Sequence, residues 1–328
     1  MRVRRCPGSG TVTAKPTARI VRLFEDNLIF LSLIGIVAFF GLASDRFLSL
    51  TTLSTLLNQL PALTVVAIGM TLVLISGAID LSVGSVLALC AGVVGGCMTL
   101  FGMPLPLAAG IGILAGALAG LANGSLGAYL RLPIFIVTLG MLEVARGLAY
   151  LVTDSQTVYL GARVQSFAVP IWGIGVSASF LTALALVIAF EYLLRSTVFG
   201  RQIVAVGSNE SAAEVSGIDP KRVRCTVLVI SGALAGLGGL MNASYLGSAD
   251  PNAGVGMELS AIAAAVIGGT SLMGGRGSVV GAFIGVLIVS VLQIGLAQIG
   301  ITEPTKRVIT GAVIILAVIL DRWRADSR

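Results

Sequence analysis

The chain has 328 residues, of which 56% are hydrophobic and only 11% are charged, and its mean hydropathy is +1.01. Soluble domains carry roughly a quarter charged residues, so this composition excludes a soluble protein and predicts an all-α polytopic membrane protein. The 42 glycines are typical of membrane helices that pack closely through small residues. The net charge of +6 comes from basic residues dispersed among loop ends, which argues against a nucleic-acid partner.

The chain begins with a basic stretch, residues 1–27, that contains no long apolar run. We expect a cytoplasmic N-terminal tail that is disordered or lies on the lipid surface. Residues 28–43 form the first apolar span. A cleaved signal peptide is the alternative interpretation, but the basic lead is long for an n-region and many further spans follow.

About ten spans are predicted when each crossing is given roughly 20 residues. They are residues 28–43, 53–79, 81–100, 106–130, 133–152, 169–194, 226–246, 259–272, 279–299 and 308–320. The eighth, residues 259–272, is short for a full crossing and could be re-entrant, so the count is eight to ten. Residues 28–321 are therefore one transmembrane domain, followed by a C-terminal tail at residues 322–328.

The positive-inside rule orients this series of spans. With the N-terminus inside, only four basic residues fall outside. Those expected in the cytoplasm number sixteen: Arg2, Arg4, Arg5, Lys15, Arg19, Arg22, Arg131, Arg195, Arg201, Lys221, Arg222, Arg224, Arg276, Arg322, Arg324 and Arg328. The four outside are Arg46, Arg163, Lys306 and Arg307. We therefore expect both termini in the cytoplasm.

The string GALAGL occurs twice, at residues 116–121 and 232–237, in spans that run in opposite directions. Inverted repeats are common in transporters. Coincidence is the alternative in a chain this rich in Gly, Ala and Leu.

Asp80 stands in the run ISGAIDLSVGS, residues 75–85, where two spans nearly touch. A charged side chain at a helix centre costs roughly 2.5–3.5 kcal/mol. Gly and Ser allow a broken segment here, which is tolerated at depth only where protein or a water-filled cavity surrounds it. Asp80 could cap the next helix, or Asp80 and Ser82 could lie beside a solute pathway, and the two roles can coexist.

For other polar residues inside the spans, a structural contact is the alternative to a functional role. Glu143 and Arg146 are three residues apart, which favours an internal ion pair. Asn123 and Thr138 could hydrogen-bond a hydroxylated solute, although hydrogen bonds between helices are the alternative. Glu258 opens a helix at the outer side, where the helix dipole accounts for a carboxylate, and it is also a pathway candidate.

One long polar interruption, residues 195–224, separates two apolar blocks; we call it the polar segment. Ser208 and Asn209 can cap a helix, Gly217 can end it, and Asp219-Pro220 prevents its resumption. These signals predict a short helix over residues 210–216.

This short helix is expected to present Ala212 and Ala213. Two helical turns are too few to be stable alone, so the helix needs an outside contact. A docking site for another protein and an ordinary cytoplasmic loop are the two interpretations.

Several motifs of catalysis are missing from the sequence. It contains no His, no Walker A motif, no nucleophile elbow and no zinc motif, and its four Cys lack metal spacing. We therefore expect no catalytic residues, no metal and no cofactor. Any ATP used for transport would be bound and hydrolysed by another chain.

Four stretches together carry a family resemblance. They are GMTLVLISGAIDLSVGS (69–85), NG (123–124) with LPIFIVTLG (132–140), TVFGR (197–201) with GSNESAA (207–213) and SGI (216–218), and ELSAIAAAVIGGTSL (258–272) with GGRG (274–277). In this order they resemble the permease subunits of bacterial ATP-binding-cassette importers for monosaccharides, the ribose, xylose, arabinose and galactoside group. Ala78, where relatives often carry a second Gly, and Glu143 depart from that pattern.

The resemblance implies a bundle like that of type II importers, in the bacterial inner membrane. It implies that a loop at residues 195–225 forms a coupling helix that docks on an ATPase subunit. The implied coupling residues are Gly207, Asn209, Glu210, Ala212, Ala213, Gly217 and Ile218. The other implied partners are a second permease, identical or not, and a periplasmic sugar-binding protein.

Two other classes of function are compatible with parts of the sequence. An ion-coupled secondary transporter would use Asp80 or Glu258 as its carboxylate and would need no ATPase. A purely structural membrane scaffold is disfavoured by the broken segment around Asp80. The sequence does not identify the sugar, because selection of the solute is expected to reside largely in the binding protein.

Overall fold

The computed structural model describes residues 16–171 and 175–326, and over this part the chain is predominantly helical. The helices are α1 (Pro16–Ala43), α2 (Leu50–Ile75), α3 (Val83–Thr99), α4 (Leu105–Gly124), α5 (Ile134–Val152), α6 (Ala162–Gln165), α7 (Ala178–Ser196), α8 (Val198–Ser208), α9 (Glu210–Val215), α10 (Pro220–Leu246), α11 (Met257–Ile267), α12 (Val279–Gln298) and α13 (Glu303–Asp326). A π-helical turn, Ser125–Tyr129, directly continues α4. The prediction of an all-α membrane protein is confirmed.

Each of the ten predicted spans overlaps one helix. Within the described part of the chain, six helices are long and apolar enough to cross a membrane: α2, α4 with its π-helical turn, α5, α7, α10 and α12. Residues 29–43, α3 and α11 are shorter apolar helices. Of the predicted tails, Met1–Lys15 and residues 327–328 lie outside the described residues, and α1 begins at Pro16 rather than after the tail.

Most of the predicted span boundaries differ from the observed helix ends by a few residues. The sixth begins at Ala178 and not at Val169, because Ser177 caps it by accepting the N–H of Phe180 at 3.2 Å. The eighth, α11, has 11 residues and is about 17 Å long, roughly half of a membrane crossing. It ends at Gly268 and Gly269, the latter with φ +88°.

Helix α2 forms the centre of the bundle. Its neighbours are α10, α12, α11 and α7, and 89% of its apolar window is buried. The corresponding share for α5 is only 17%, so α5 belongs to the outer layer with α4 and α7. Exposed apolar side chains such as Leu114 and Ile188 lie on this outer layer, where lipid can cover them.

Helices α4 and α10 cross each other through the two GALAGL strings. A Cβ added to Gly116 would lie 2.2 Å from the carbonyl oxygen of Gly232, and one added to Gly232 would lie 2.1 Å from that of Gly116. Gly120 packs in the same way against the Leu228 carbonyl. The contact is reciprocal, and the partner numbers fall along α10 as they rise along α4, so the two helices run antiparallel.

A small sheet links the connections that follow α5 and α10. Strand β1 (Val158–Tyr159) pairs antiparallel with β2 (Ser248–Ala249), placing Val158 opposite Ala249. This pairing holds the start of the non-helical residues 250–256 beside the end of α5.

Candidate functional site

The polar segment folds as α8, α9 and the start of α10. Helix α9 is Glu210–Val215, within one residue of the prediction. The Asn209 side chain accepts the N–H of Ala212 at 2.9 Å, and Gly217 has φ +83° just after the helix. The Asp219 carboxylate accepts the N–H of Lys221 at 3.0 Å and so caps α10. The local capping signals in the sequence therefore predicted this segment correctly.

The outward face of α9 differs from the prediction. Ala212 is exposed, but Ala213 is 4% exposed and packs against the core, so the expectation that both are presented is wrong for Ala213. Successive helical residues point about 100° apart, and here that turn carries the second of the two side chains into the core. Val215 is 91% exposed, and sequence reasoning missed it. The sequence does contain a signal for this exposed position: Val215 is an apolar residue at the end of a helix whose other residues are small or charged.

The polar segment is tied to the end of α2. Nη1 of Arg224 lies 2.8 Å from Oε2 of Glu210, and its Nε donates to the carbonyl of Ser76 at 3.3 Å. A Cβ added to Gly207 would lie 1.7 Å from the carbonyl oxygen of Ile75, so only glycine fits there. One guanidinium thus joins α9 to the last turn of α2.

Residues 76–82 between α2 and α3 form a break that carries a buried polar cluster. Oδ1 of Asp80 accepts the N–H of Ser82 at 3.0 Å and its hydroxyl at 2.6 Å. The Ser231 hydroxyl of α10 donates to Oδ2 of Asp80 at 3.3 Å, and Nδ2 of Asn123 in α4 donates to the Ser82 hydroxyl at 2.9 Å. All four residues are 1% exposed. The cluster therefore joins the break to α4 and α10.

These contacts bear on the two interpretations of Asp80. Ser82 is the N-cap residue of α3, so Asp80 does satisfy a backbone donor at the start of that helix. Oδ1 of Asn123 has no hydrogen-bond partner among the described residues. A role of the cluster beside a solute pathway stays a prediction.

The other two pathway candidates lie apart from the cluster. The Thr138 hydroxyl donates to the Ile79 carbonyl at 3.3 Å, which ties α5 to the break. Glu258 lies at the start of α11, and its Oε1 accepts the N–H of Gly256 at 3.2 Å. A Cβ on Gly84 would lie 2.4 Å from Oε2 of Glu258, so this carboxylate packs against the start of α3.

A cavity of about 690 Å³ lies between the break and the polar segment. Its walls come from the break, from the connection between α4 and α5, and from α9 with the start of α10. The residues lining it are Gly77, Ala78, Ile79, Gly127, Ala128, Arg131, Leu132, Pro133, Ile134, Phe135, Glu210, Glu214, Pro220, Lys221 and Arg224. A movement of α9 would therefore change the shape of a space that borders the break.

The predicted ion pair between Glu143 and Arg146 does not form. Nη1 of Arg146 donates instead to the carbonyls of Pro251 and Ala253, the second at 2.9 Å. Glu143 is exposed, and no hydrogen bond or ion pair holds its carboxylate within the described residues. A spacing of three residues allowed the pair, but the backbone of residues 251–253 offers Arg146 closer acceptors.

Within residues 16–171 and 175–326, no group of His, Cys, Asp and Glu side chains is arranged to hold a metal ion. Cys90, Cys97 and Cys225 are buried free thiols that fill space between helices. The candidate site therefore consists of the break between α2 and α3 and of helix α9, which Arg224 connects to it.

Comparison with known proteins places this arrangement among membrane permeases. The ribose import permease protein RbsC of Bacillus subtilis is 40% identical over 311 residues, covering 90% of this chain and 92% of that protein. The L-arabinose ABC transporter permease protein AraH of Azospirillum brasilense is 32% identical, covering 98% and 95%. The fructose import permease protein FrcC of Rhizobium meliloti is 33% identical, covering 88% and 83%.

No solved structure matches the chain. A family model described as the permease component of the branched-chain amino acid transport system matches residues 52–318. Because that match spans most of the chain and the relatives align over most of their lengths, the chain belongs to this family of transport permeases.

Proposed function

We propose that this chain is the membrane-spanning subunit of an ATP-binding-cassette importer that carries a monosaccharide inward across the bacterial inner membrane. The permeases of ribose, L-arabinose and fructose import named above are similar to it along nearly the whole chain. They differ in their sugar, so the shared solute class is the monosaccharide and the particular sugar stays open.

The observation that carries the proposal is the tie between α9 and the break. Arg224 contacts Glu210 on α9 and the Ser76 carbonyl at the end of α2, while Ala212 and Val215 face away from the bundle. A short helix with an exposed apolar residue and a fixed connection to a broken membrane segment suits transmission of force. An ordinary surface loop needs no such connection.

The transport cycle follows from this connection. An ATPase partner docks on the exposed side of α9, and its closure on ATP pushes α9 toward the bundle. The push reaches the break through Arg224 and Gly207, and shifts the population between outward-open and inward-open states. This chain supplies the gate, and the partner binds and hydrolyses ATP.

The proposal includes a topology and further partners. The excess of basic residues on one side supports a topology with the polar segment and both termini in the cytoplasm. A periplasmic sugar-binding protein then delivers solute at the opposite side, beside residues 250–256. A second permease completes the membrane unit.

The test is transport-coupled ATP hydrolysis by the importer reconstituted in lipid vesicles. Val215→Asp puts a charge on the docking face, and we expect sugar-stimulated hydrolysis and uptake to fall to near background while the chain stays folded. Ala212→Arg should do the same. Val169→Asp is the matched control, because Val169 is 56% exposed far from α9 and should leave both activities intact.

Two results would contradict the proposal. Coupled hydrolysis that survives both α9 variants would remove α9 from the mechanism. Sugar accumulation by the purified chain without any ATPase would instead favour the ion-coupled transporter, which the family relationship disfavours.

A further inference from the structure

Two basic side chains that line the cavity beside the break have no ion-pair partner. Arg131 comes from the connection between α4 and α5, and Lys221 comes from the first turn of α10. Within the described part of the chain, neither side chain makes a hydrogen bond or an ion pair. Arg131 is exposed, but Lys221 is partly buried. Burying an ammonium group costs free energy that an anionic partner offsets, so this wall of the cavity favours an anion.

The other charged residues of the cavity leave its net charge positive. Arg224 and Glu210 offset each other, because their side chains form an ion pair at 2.8 Å. Glu214 also lines the cavity, and its carboxylate has no side-chain partner in residues 16–171 or 175–326. Two unpaired cations therefore stand against one unpaired carboxylate. Arginine and lysine are common ligands of phosphate groups, so a phosphate suits this arrangement.

The remaining wall of the cavity is largely apolar. Its apolar residues are Ala78, Ile79, Leu132, Pro133, Ile134 and Phe135. They can pack against the C–H groups of a carbon skeleton, while the Glu214 carboxylate, as a hydrogen-bond acceptor only, can accept hydrogen bonds from hydroxyl groups. The volume of about 690 Å³ lies within the range of small-molecule sites, roughly 300–1,000 Å³. The lining therefore suits a phosphorylated polyhydroxyl compound better than a bare phosphate ion.

The cavity lies on the side of α9 opposite to its docking face. Glu210 and Glu214 are four residues apart and so share one side of the helix, about 40° from each other at 100° per residue. The exposed residues Ala212 and Val215 lie about 140–160° around the helix from Glu210. A protein that docks on Ala212 and Val215 therefore contacts the side of α9 that faces away from the cavity.

We propose that this cavity binds a phosphorylated small molecule, of the size of a sugar phosphate, from the cytoplasm, and that the bound molecule slows the importer. Arg131 and Lys221 bind the phosphate group, and Glu214 accepts hydrogen bonds from hydroxyl groups. The inference rests on the proposed function, because that proposal gives the cavity its cytoplasmic side and names the transport that is slowed.

Inhibition follows from the elements that the ligand connects. Arg131 lies just before α5, and α5 is tied to the break by the hydrogen bond from Thr138 to the Ile79 carbonyl. Lys221 lies just after α9, at the start of α10. A phosphate held by both cations links these two parts of the chain, so α9 moves less freely during the transport cycle. A kinase that phosphorylates the imported sugar would supply such a ligand, and import would slow as the phosphorylated product accumulates.

Calorimetric titration of the purified full chain in an uncharged detergent tests the site, with ribose 5-phosphate as the probe. We expect saturable binding, and Arg131→Gln and Lys221→Gln should each raise Kd roughly tenfold or more, because each removes a charged hydrogen bond. Arg222→Gln is the matched control, because Arg222 is next to Lys221 but is 80% exposed and does not line the cavity. No binding to the parent chain, or one Kd for all three variants, would overturn the proposal.

Two further probes test the class of ligand. Inorganic phosphate should bind several-fold more weakly than ribose 5-phosphate, since it lacks the hydroxyl groups and the carbon skeleton. Glu214→Gln should narrow this difference, because it removes the charged acceptor. Any binding of unphosphorylated ribose should be unaffected by Arg131→Gln. Inorganic phosphate that binds as tightly as the ester would refute the assignment to a phosphorylated polyhydroxyl compound.

Uptake assays test the regulation in importers reconstituted in phosphatidylcholine vesicles. Ribose 5-phosphate on the side that contains ATP should lower sugar uptake several-fold. Arg131→Gln should take up sugar like the parent without the probe and should resist the inhibition. Equal inhibition of the parent and of Arg131→Gln would place the effect outside the cavity, for example on the ATPase, and would overturn the regulatory role.

Anionic lipid carries the same phosphate chemistry, so the lipid composition is the last arm. If phosphatidylglycerol in the vesicles slows the parent but not Arg131→Gln, while ribose 5-phosphate has no effect, the ligand is a lipid headgroup and the soluble ligand is refuted. Failure of the proposed function is a separate result. An importer that takes up no sugar would contradict that function, whereas the calorimetric titration tests the cavity without any transport.

Discussion

The carboxylate of Glu191 in α7 accepts the backbone N–H of Val279 in the first turn of α12, at 2.7 Å. The same oxygen accepts the N–H of Val280 at 3.1 Å, and the Ser278 hydroxyl lies 3.2 Å away. An anion at a helix N-terminus is favoured by the exposed N–H donors and by the helix dipole. One distant side chain therefore fixes the start of α12 against the end of α7.

Replacing this cap should destabilise the bundle. We expect Glu191→Ala to cost about 1.5–3 kcal/mol, because it leaves two N–H donors without their charged acceptor. The midpoint of thermal unfolding in detergent should then fall by several degrees. Glu214→Ala is the control, since Glu214 is exposed on α9 and no side-chain partner for it is seen in residues 16–171 or 175–326. Equal midpoints for the two variants would show that the cap is unimportant.

The crossing of α4 and α10 predicts a sharp difference between two glycines of one helix. Gly116→Ala places a methyl group 2.2 Å from the Gly232 carbonyl oxygen, so we expect a loss of about 1–3 kcal/mol or more as the helices separate. Gly110→Ala has nothing within 4 Å and should be neutral or slightly stabilising, because Ala favours a helix over Gly. The measurement is the thermal midpoint of both variants. A stable Gly116→Ala variant would contradict the observed packing.

The sequence allowed the spans and α9 to be predicted because their signals are local. Apolar runs of sufficient length give the spans, and Asn209 and Gly217 give the ends of α9 through contacts within a few residues. The wrong start predicted for α7 also comes from reliance on the length of a local apolar run. The start of α7 depends on the cap at Ser177, and its apolar run extends well before that residue.

Most of the candidate site depends on contacts between distant parts of the chain. Nothing local to Arg224 distinguishes it from Arg222, yet only Arg224 reaches the carbonyl of Ser76. Likewise Arg146 could pair with Glu143 by spacing alone, but residues 251–253 compete for it. Predicting such choices requires the packing of α10 and of residues 250–256, which no short pattern encodes.

Asp80 is expected to hold the break together through its acceptor oxygens. Asp80→Ala removes the acceptor of the Ser82 and Ser231 hydroxyls at a fully buried position, which should cost about 1–3 kcal/mol. The measurement is the thermal midpoint together with ATP-driven sugar uptake. Asp45→Ala, at an exposed carboxylate, should change neither quantity. If Asp80→Ala melts like the parent chain, the cluster contributes nothing to the stability of the break.

Arg224 should decide how efficiently ATP hydrolysis is converted into transport. Arg224→Met breaks both the ion pair with Glu210 and the hydrogen bond to Ser76, so α9 can move without moving the break. We expect the importer to hydrolyse ATP at a similar rate while the sugar carried per ATP falls several-fold.

Glu210→Gln breaks only the ion pair and should give an intermediate ratio. Arg222→Met is the matched control. Arg222 is 80% exposed, its ion pair within the described residues is with Asp219 three positions away, and exposed pairs of this kind contribute little. An unchanged ratio of transport to hydrolysis in Arg224→Met would mean that force reaches the break by another contact, of which Gly207 against the Ile75 carbonyl is the nearest.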